Sequence, residues 1–523
     1  MINKGQLLLL ILFLAGCSGA PIQDNNVPVG EPAYRIPQSL KNGILLQGTI
    51  VTPDEIIPDG WVFVKDEKIV SISILKPPHL GAIELNTNGI IFPGLIDLHN
   101  HVAWNVIPRW KTWKKFKNRY DWNIDPDYEE RVRDIHNNIE GTLEREMNIY
   151  GEIRSLIGGT TSIIGSPDLP SLSADGFLRN LDFESGFVFD YRGSAFGFGI
   201  SDPDRVYNEI KMNYSLEKPV CCEPCDQGVP LGQFLEKSQS FLSNWYAKLF
   251  LIHLSEGIDP ESQDEFCYLK ANGLLTSSTG IVHGTALNAN HFQQMAESNS
   301  SLIWSPKSNL SLYGKTTNIK QALSAGVAST RMALSADWSI SGSNNLLYEL
   351  RFAHKYNHDS LNNIFTDEQL VKMATKYPAQ IAGLGNRIGS IQEGYYADLL
   401  VISGNRDNPY NAITQAEAKD VQLVLISGQP LYGDRALMNK CWGNTFNYYN
   451  LNDPTIASIN YITLNGAQKA IKMPVANSSF FNLCNKLNVT LNSFGSSLAP
   501  LVEAESGQFF LNPSLNYFHS FNY

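Results

Sequence analysis

Gly89-Ile90-Ile91-Phe92-Pro93-Gly94-Leu95-Ile96-Asp97-Leu98-His99-Asn100-His101 carries the strongest fold signal in the chain. Ile90, Ile91, Leu95 and Ile96 form a short apolar run interrupted only by Phe-Pro-Gly, as a strand buried on both faces of a parallel sheet reads. Side chains alternate along a strand, so His99 and His101 are expected on one face and Asn100 on the other. Two imidazoles side by side suit a borderline divalent metal such as zinc. Two surface histidines at a strand exit would give the same pattern, and the rest of the chain must decide between these readings.

The chain has 523 residues, 43% hydrophobic and 17% charged, which is enough for one large α/β domain and a smaller companion. Its formal charge of −11 comes without a basic block, so composition gives no support for nucleic acid or an anionic membrane surface as the main partner. A small-molecule substrate is the expected partner. Oligomeric state is left open, a homo-oligomer included.

At the N-terminus Lys4 precedes an apolar run over 7–14 that ends in Ala15-Gly16-Cys17-Ser18. The run is too short to span a bilayer, and its charged start and small-residue end fit a secretory segment. Leu14-Ala15-Gly16-Cys17 resembles a bacterial lipobox. That resemblance implies cleavage before Cys17, lipidation of its sulfur, and membrane attachment through acyl chains alone. The expected location is the bacterial cell envelope, and Ser18 fits outer-membrane sorting in a host with two membranes. Residues 17–37 read as a tether. The remaining cysteines, Cys221, Cys222, Cys225, Cys267, Cys441 and Cys484, are even in number, so some pairing is expected outside the cytoplasm. Cys222-Glu223-Pro224-Cys225 reads as a loop staple, with a redox pair or half a zinc knuckle as alternatives.

Short β-type runs separated by turn residues occupy 44–74, and similar runs return at 397–402 and 421–430. The two flanks are expected to pair into one small β-sandwich. Between them, strand-like runs at 161–165, 186–190, 249–254, 280–283, 302–305 and 333–335 alternate with helical stretches. Such alternation predicts an α/β fold, a (β/α)₈ TIM-type barrel. Apolar spacing predicts a helix over 128–156, stopped by Gly158-Gly159. The expected divisions are a signal peptide over 1–16, the tether, sandwich segments over 38–92 and 386–437, and a barrel over 93–385. No function is assigned to an extension over 438–523.

Catalytic side chains of such barrels project from the carboxyl ends of the strands. Phe250-Leu251-Ile252-His253-Leu254-Ser255-Glu256, Gly280-Ile281-Val282-His283-Gly284 and Leu334-Ser335-Ala336-Asp337-Trp338 each place a His or a carboxylate there. At this point the chain resembles the amidohydrolase superfamily, in the branch of guanine and cytosine deaminases and triazine chlorohydrolases. The likeness spans roughly 44–427 and rests on these stretches together with the 93–101 stretch, Gly158-Gly159-Thr160-Thr161-Ser162, Ser305-Pro306-Lys307-Ser308-Asn309-Leu310 and the closing 374–399 region.

The resemblance implies that His99, His101, His253 and Asp337 hold one divalent metal, zinc first and iron as an alternative. It implies a metal-activated water as nucleophile, Asp337 as its base, Glu256 as the proton shuttle to a ring nitrogen, and His283 as a hydrogen-bonding partner of the water or oxyanion. A second metal would need a bridging lysine, for which Lys218 is the nearest candidate, in a loop-like setting; a mononuclear site is favoured. Trp104, Arg109, Ser308 and Asn309 are candidate substrate contacts, with Tyr313 in the same loop. Trp110 to Lys115 also reads as a solvated covering segment. The expected activity is hydrolysis of a non-peptide carbon–nitrogen bond, as deamination of a ring compound. The alternatives are hydrolysis of a cyclic or linear amide, as in imidazolonepropionase-like relatives, and a non-catalytic metal-binding or ligand-binding lipoprotein.

Overall fold

The computed structural model describes residues 40–79, 81–165, 177–181, 249–271, 273–442, 459–473 and 479–503. The signal and tether residues with Cys17, the expected strand at 186–190, Lys218 and the Cys221, Cys222 and Cys225 group lie outside the described residues.

Strands β1 (Ile44–Val51), β2 (Ile56–Lys65), β3 (Lys68–Ser73) and β4 (Ile83–Pro93) belong to one large mixed sheet. Between β4 and the far flank lie β5 (Leu95–Asp97), β6 (Thr160–Ile163), β7 (Arg179–Asn180), β8 (Phe250–Leu254), β9 (Thr279–His283), β10 (Ser301–Trp304) and β11 (Met332–Leu334). The far flank supplies β12 (Leu399–Ile402), β13 (Val421–Ile426) and β14 (Gln429–Asp434), and the C-terminal extension adds β15 (Ile459–Leu464) and β16 (Ala467–Lys472).

The two flanks meet where β4 pairs antiparallel with β12, Phe92 opposite Leu400 and Ile91 opposite Val401. The outcome is a nine-stranded sheet in the order β15-β16-β14-β13-β12-β4-β1-β2-β3, in place of the small sandwich that the sequence led us to expect. It is larger because the extension contributes a hairpin, turned at Asn465-Gly466 with φ of 46° and 82°, that covers the edge of β14.

The opening motif is also split. β4 ends at Pro93 in the mixed sheet, and β5 starts at Leu95 in a separate parallel sheet, so Ile90-Ile91 and Leu95-Ile96 are not one strand. Gly94 makes the crossing: its N–H donates to Asp398 O at 2.9 Å, and a Cβ there would lie 2.1 Å from Thr161 Oγ1.

β5, β6 and β7 form one parallel arc, and β8 to β11 form another in the order β11-β10-β9-β8. The arcs meet beyond β5 and β11, where Asn100 bridges Asp337 in parallel and His101 N–H donates to Asp337 O at 3.3 Å. Among the described residues they join on that side only, and no closed ring is formed. The expected helix begins as a π-turn (Glu129–Arg133), continues as an α-helix over Asp134–Ile157, and kinks at Leu143. Gly159, at φ 80°, takes the left-handed conformation after it.

Cys267 is disulfide-bonded, in line with the expectation that some cysteines pair, whereas Cys441 and Cys484 are not in a disulfide, and burial pushes both thiols up to about 12. No helix among the described residues is long and apolar enough to cross a membrane.

Candidate metal centre

Four strand exits converge. His99 and His101 follow β5, but β5 ends at Asp97, so they face one another through a bend and not through strand alternation. His99 Nε2 lies 2.9 Å from His253 Nε2 and 3.3 Å from His101 Nε2. Asp337 Oδ1 lies 3.5 Å from His101 Nε2 and 3.6 Å from His99 Nε2. His283 joins His99 and His253 in a second close group of possible ligand atoms.

The backbone is bent to achieve this. Ser255, His283 and Asp337 all have positive φ, of 54°, 66° and 61°. Such conformations cost roughly 1–3 kcal/mol each in residues other than glycine and gather at functional sites. Asp97, buried beneath the centre, accepts from His99 N at 3.3 Å, from Asn100 Nδ2 at 3.0 Å and from Ala336 N at 3.4 Å. It joins the exits of β5 and β11. Burial raises its carboxyl to about 7 against the pull of these hydrogen bonds.

The donor set fits a divalent cation. Burial drives the pKa values of His99 and His253 well below the usual imidazole range, so both remain neutral with lone pairs to offer. His99 Nδ1 contacts Ser335 Oγ at 3.3 Å, and Ser335 Oγ contacts Ser305 Oγ at 2.6 Å, which fits Nδ1 as donor and Nε2 as ligand. Burial also pushes the Asp337 carboxyl well above its ordinary value. Neutral imidazoles give that carboxylate no counter-charge, which a cation held among His99, His101 and Asp337, with His253 beside His99, would supply. Two nitrogen ligands at ~2.0–2.1 Å on a tetrahedral ion lie ~3.3 Å apart, close to the spacing seen here.

Glu256 and His283 stand beside this group. His283 Nε2 is 3.7 Å from Glu256 Oε2. Tyr313 donates to Glu256 Oε1 at 2.6 Å, and Trp122 Nε1 donates to Tyr313 Oη at 2.7 Å. Asn309 Nδ2 donates to Thr316 Oγ1 at 3.2 Å, which leaves Asn309 Oδ1 to accept from His283 Nδ1 at 2.9 Å.

The candidate substrate contacts separate. Ser308 hydrogen-bonds Asp337 and lies 2.8 Å from Ser341 Oγ, and Asn309 orients His283, so both act on site residues. Arg109 is committed elsewhere, donating to Ser341 O at 3.1 Å and Gly342 O at 2.5 Å. Trp104 stacks on His136 at 3.6 Å and meets Trp338 edge-on at 5.7 Å, and Trp338 lies 5.5 Å from His101. Within the expected covering segment, Trp110 is buried and Trp113 is exposed. Sequence reasoning missed Ser335, Ser305 and Asp97 as supports, although Ser335 and Asp97 stand within two residues of expected ligands.

Residues 252–431 match the amidohydrolase family. A 5-methylthioadenosine/S-adenosylhomocysteine deaminase of Bacillus cereus (strain 03BB102) is 23% identical over 424 residues, covering 73% of this chain and 92% of the relative. The fold resembles that of an adenosine deaminase from Xanthomonas campestris with bound zinc, at TM-score 0.54 and 15% identity over 86% of this chain and 98% of the other. It also resembles an atrazine chlorohydrolase from Arthrobacter aurescens TC1 complexed with zinc, at TM-score 0.52 and 17% identity over 74% and 95%. These structures imply a TIM-barrel fold for the two parallel arcs. Over residues 252–431 the chain thus resembles the amidohydrolase family, and its fold is similar to that of these hydrolases.

Proposed function

We propose that the protein is a metal-dependent hydrolase of a non-peptide carbon–nitrogen bond, acting as a deaminase of a ring compound in a closed (β/α)₈ barrel. The observation that carries the reading is the convergence of His99, His101, His253 and Asp337 beside Glu256 and His283. His99, His101, His253 and Asp337 would hold a divalent ion, zinc by their N/O donor set, which would supply a water acidified towards a pKa of about 7.

Asp337 is placed to accept the proton released by that water. Glu256 is held by Tyr313, so it can deliver a proton to a ring nitrogen and regain one from the new hydroxyl, while the proton taken up by Asp337 leaves with the departing ammonia. His283, fixed at Nδ1 by Asn309, presents Nε2 to the oxygen that gains charge. Trp338, Trp104 and Trp122 form an aromatic wall behind His101, which suits a flat substrate. The relatives named for 5-methylthioadenosine, S-adenosylhomocysteine and adenosine deamination support an amino-substituted heterocycle.

A screen of aminopurines, aminopyrimidines, aminotriazines and cyclic amides tests this reading. It predicts one ammonia per product from an amino-heterocycle. Ring opening of an amide without free ammonia would show the site to be an amide hydrolase.

We also propose export through residues 1–16 and anchoring at a lipidated Cys17, on the strength of Leu14-Ala15-Gly16-Cys17. Cys17→Ser should then move the full chain from the membrane to the soluble fraction. Retention in the membrane fraction would refute this anchor.

A further inference from the structure

The C-terminal extension, unassigned in the sequence, returns to the loops that flank the candidate metal centre. Ala499 N–H donates to Val106 O at 2.9 Å, Tyr150 Oη to Ala499 O at 2.5 Å, and Asn344 Nδ2 to Pro500 O at 3.5 Å. Three residues later Glu503 meets three loops that leave barrel strands. Its carboxylate lies 2.7 Å from Lys307 Nζ and 3.4 Å from Arg109 Nη2, and it accepts the Asn344 backbone N–H at 2.8 Å. Arg109 follows β5, Lys307 follows β10 and Asn344 follows β11.

Lys307 opens the short helix Pro306–Tyr313, and that helix carries Ser308 to Asp337, Asn309 to His283 and Tyr313 to Glu256. Its first turn is held on the other side by Glu349, whose carboxylate accepts Lys307 N–H at 3.0 Å. Lys307 and Glu503 are only 14% and 11% exposed, so the pair is shielded from water, and removal of Glu503 leaves Lys307 facing the charge of Arg109 without its carboxylate. Arg109 and Lys307 repel one another, and Glu503 is the carboxylate placed between them. Burial raises the Glu503 carboxyl, but the two cations outweigh burial and hold it below its ordinary value.

We propose that Glu503 is a positioning residue for the hydrolytic centre, holding the Pro306–Tyr313 helix and the loops after β5 and β11 in register so that Ser308, Asn309 and Tyr313 reach Asp337, His283 and Glu256. The effect on turnover rests on the hydrolase reading above; the ordering of the helix does not. Glu503 acts through the helix and touches no reacting atom. A misplacement of about 1 Å in such a support costs on the order of 10²-fold in rate.

The test compares E503Q, E503D, K307M, E503Q/K307M and K486A in the full chain. Lys486 pairs with Glu146 at 2.5 Å and ties the extension down away from the centre, so K486A reports mere tethering. The measurements are amide hydrogen exchange over 306–313, bound metal, kcat and KM. E503Q should speed exchange across 306–313 at least about 10-fold, keep its metal, and lower kcat by roughly 10–10²-fold with a smaller change in KM. E503D should restore part of both effects, and E503Q/K307M should be no worse than E503Q, as expected for residues acting as one unit.

Wild-type exchange in E503Q, or the same loss in K486A, would overturn the proposal. If E503Q does not fold, K307M reads the same link from its other end, where wild-type exchange would likewise overturn it. If no substrate is turned over by the wild type, the hydrolase reading fails while the exchange result still decides the role of Glu503.

Discussion

Tyr313 and Glu256 are joined by a 2.6 Å hydrogen bond from phenol to carboxylate, and the Trp122 indole N–H fixes the phenol oxygen from behind. Burial first, and then the Glu256 charge, push the Tyr313 phenol far above its ordinary pKa, so it stays a donor over the working pH range. Glu256 is therefore aimed, and the aim is separable from its acidity.

Tyr313→Phe should keep the fold and the metal but lower kcat by about 10-fold, a fraction of the ~10²–10⁴ that a positioned acid–base group contributes. KM should change much less. Steady-state kinetics on the substrate found by the ammonia screen checks this, and unchanged kcat would remove Tyr313 from the account.

Asp337→Asn should abolish turnover, by about 10³-fold or more, because the amide can neither accept the proton nor supply the negative charge that the cation meets. Circular dichroism should remain that of the wild type. Activity within a few-fold of wild type would take Asp337 out of the mechanism.

The strand exits that bring the candidate ligands together were legible because such exits read as apolar runs followed at once by polar residues, as in Leu251-Ile252-His253 and Ile281-Val282-His283. The split at Gly94 was not. Ile90-Ile91 and Leu95-Ile96 are equally apolar in either sheet, and periodicity does not say which partner a buried strand takes. Glu503 was hidden for another reason: it lies 196 residues from Lys307 and 394 from Arg109, in a stretch rich in Asn, Ser, Phe and Tyr, where spacing carries no signal. The flanks were seen to pair, but the hairpin that enlarges their sheet sits in that same stretch.

His136 makes the fold acid-sensitive. It stacks on Trp104, and burial lowers its pKa from 6.5 to about 4. The unfolded chain takes up the proton below about pH 6.5 while the folded protein refuses it until about 4. The stabilising difference is therefore complete above 6.5 and is lost as pH falls towards 4, by up to about 3 kcal/mol. His136→Phe keeps a ring against Trp104 and should flatten the pH dependence of the urea midpoint in that window. An unchanged slope would assign the acid sensitivity to other groups, such as His291, which burial also lowers to about 4.

Gly94→Ala tests the crossing between the two sheets. The new Cβ would sit 2.7 Å from Thr161 Cβ, which is not the far end of a flexible side chain. The cost should be about 1–3 kcal/mol, seen as a lower melting temperature. A melting temperature equal to wild type would mean that β5 and β6 shift apart freely at Gly94.

Whether His99, His101 and His253 hold a metal is decided by the metal content of the purified chain, measured by plasma mass spectrometry beside that of His253→Ala. About one divalent ion per wild-type chain is expected, zinc foremost, with most of it lost in the variant, because His99 and His253 meet at 2.9 Å. A wild-type chain that holds no ion after incubation with zinc, or a variant that keeps a full complement, would contradict that expectation.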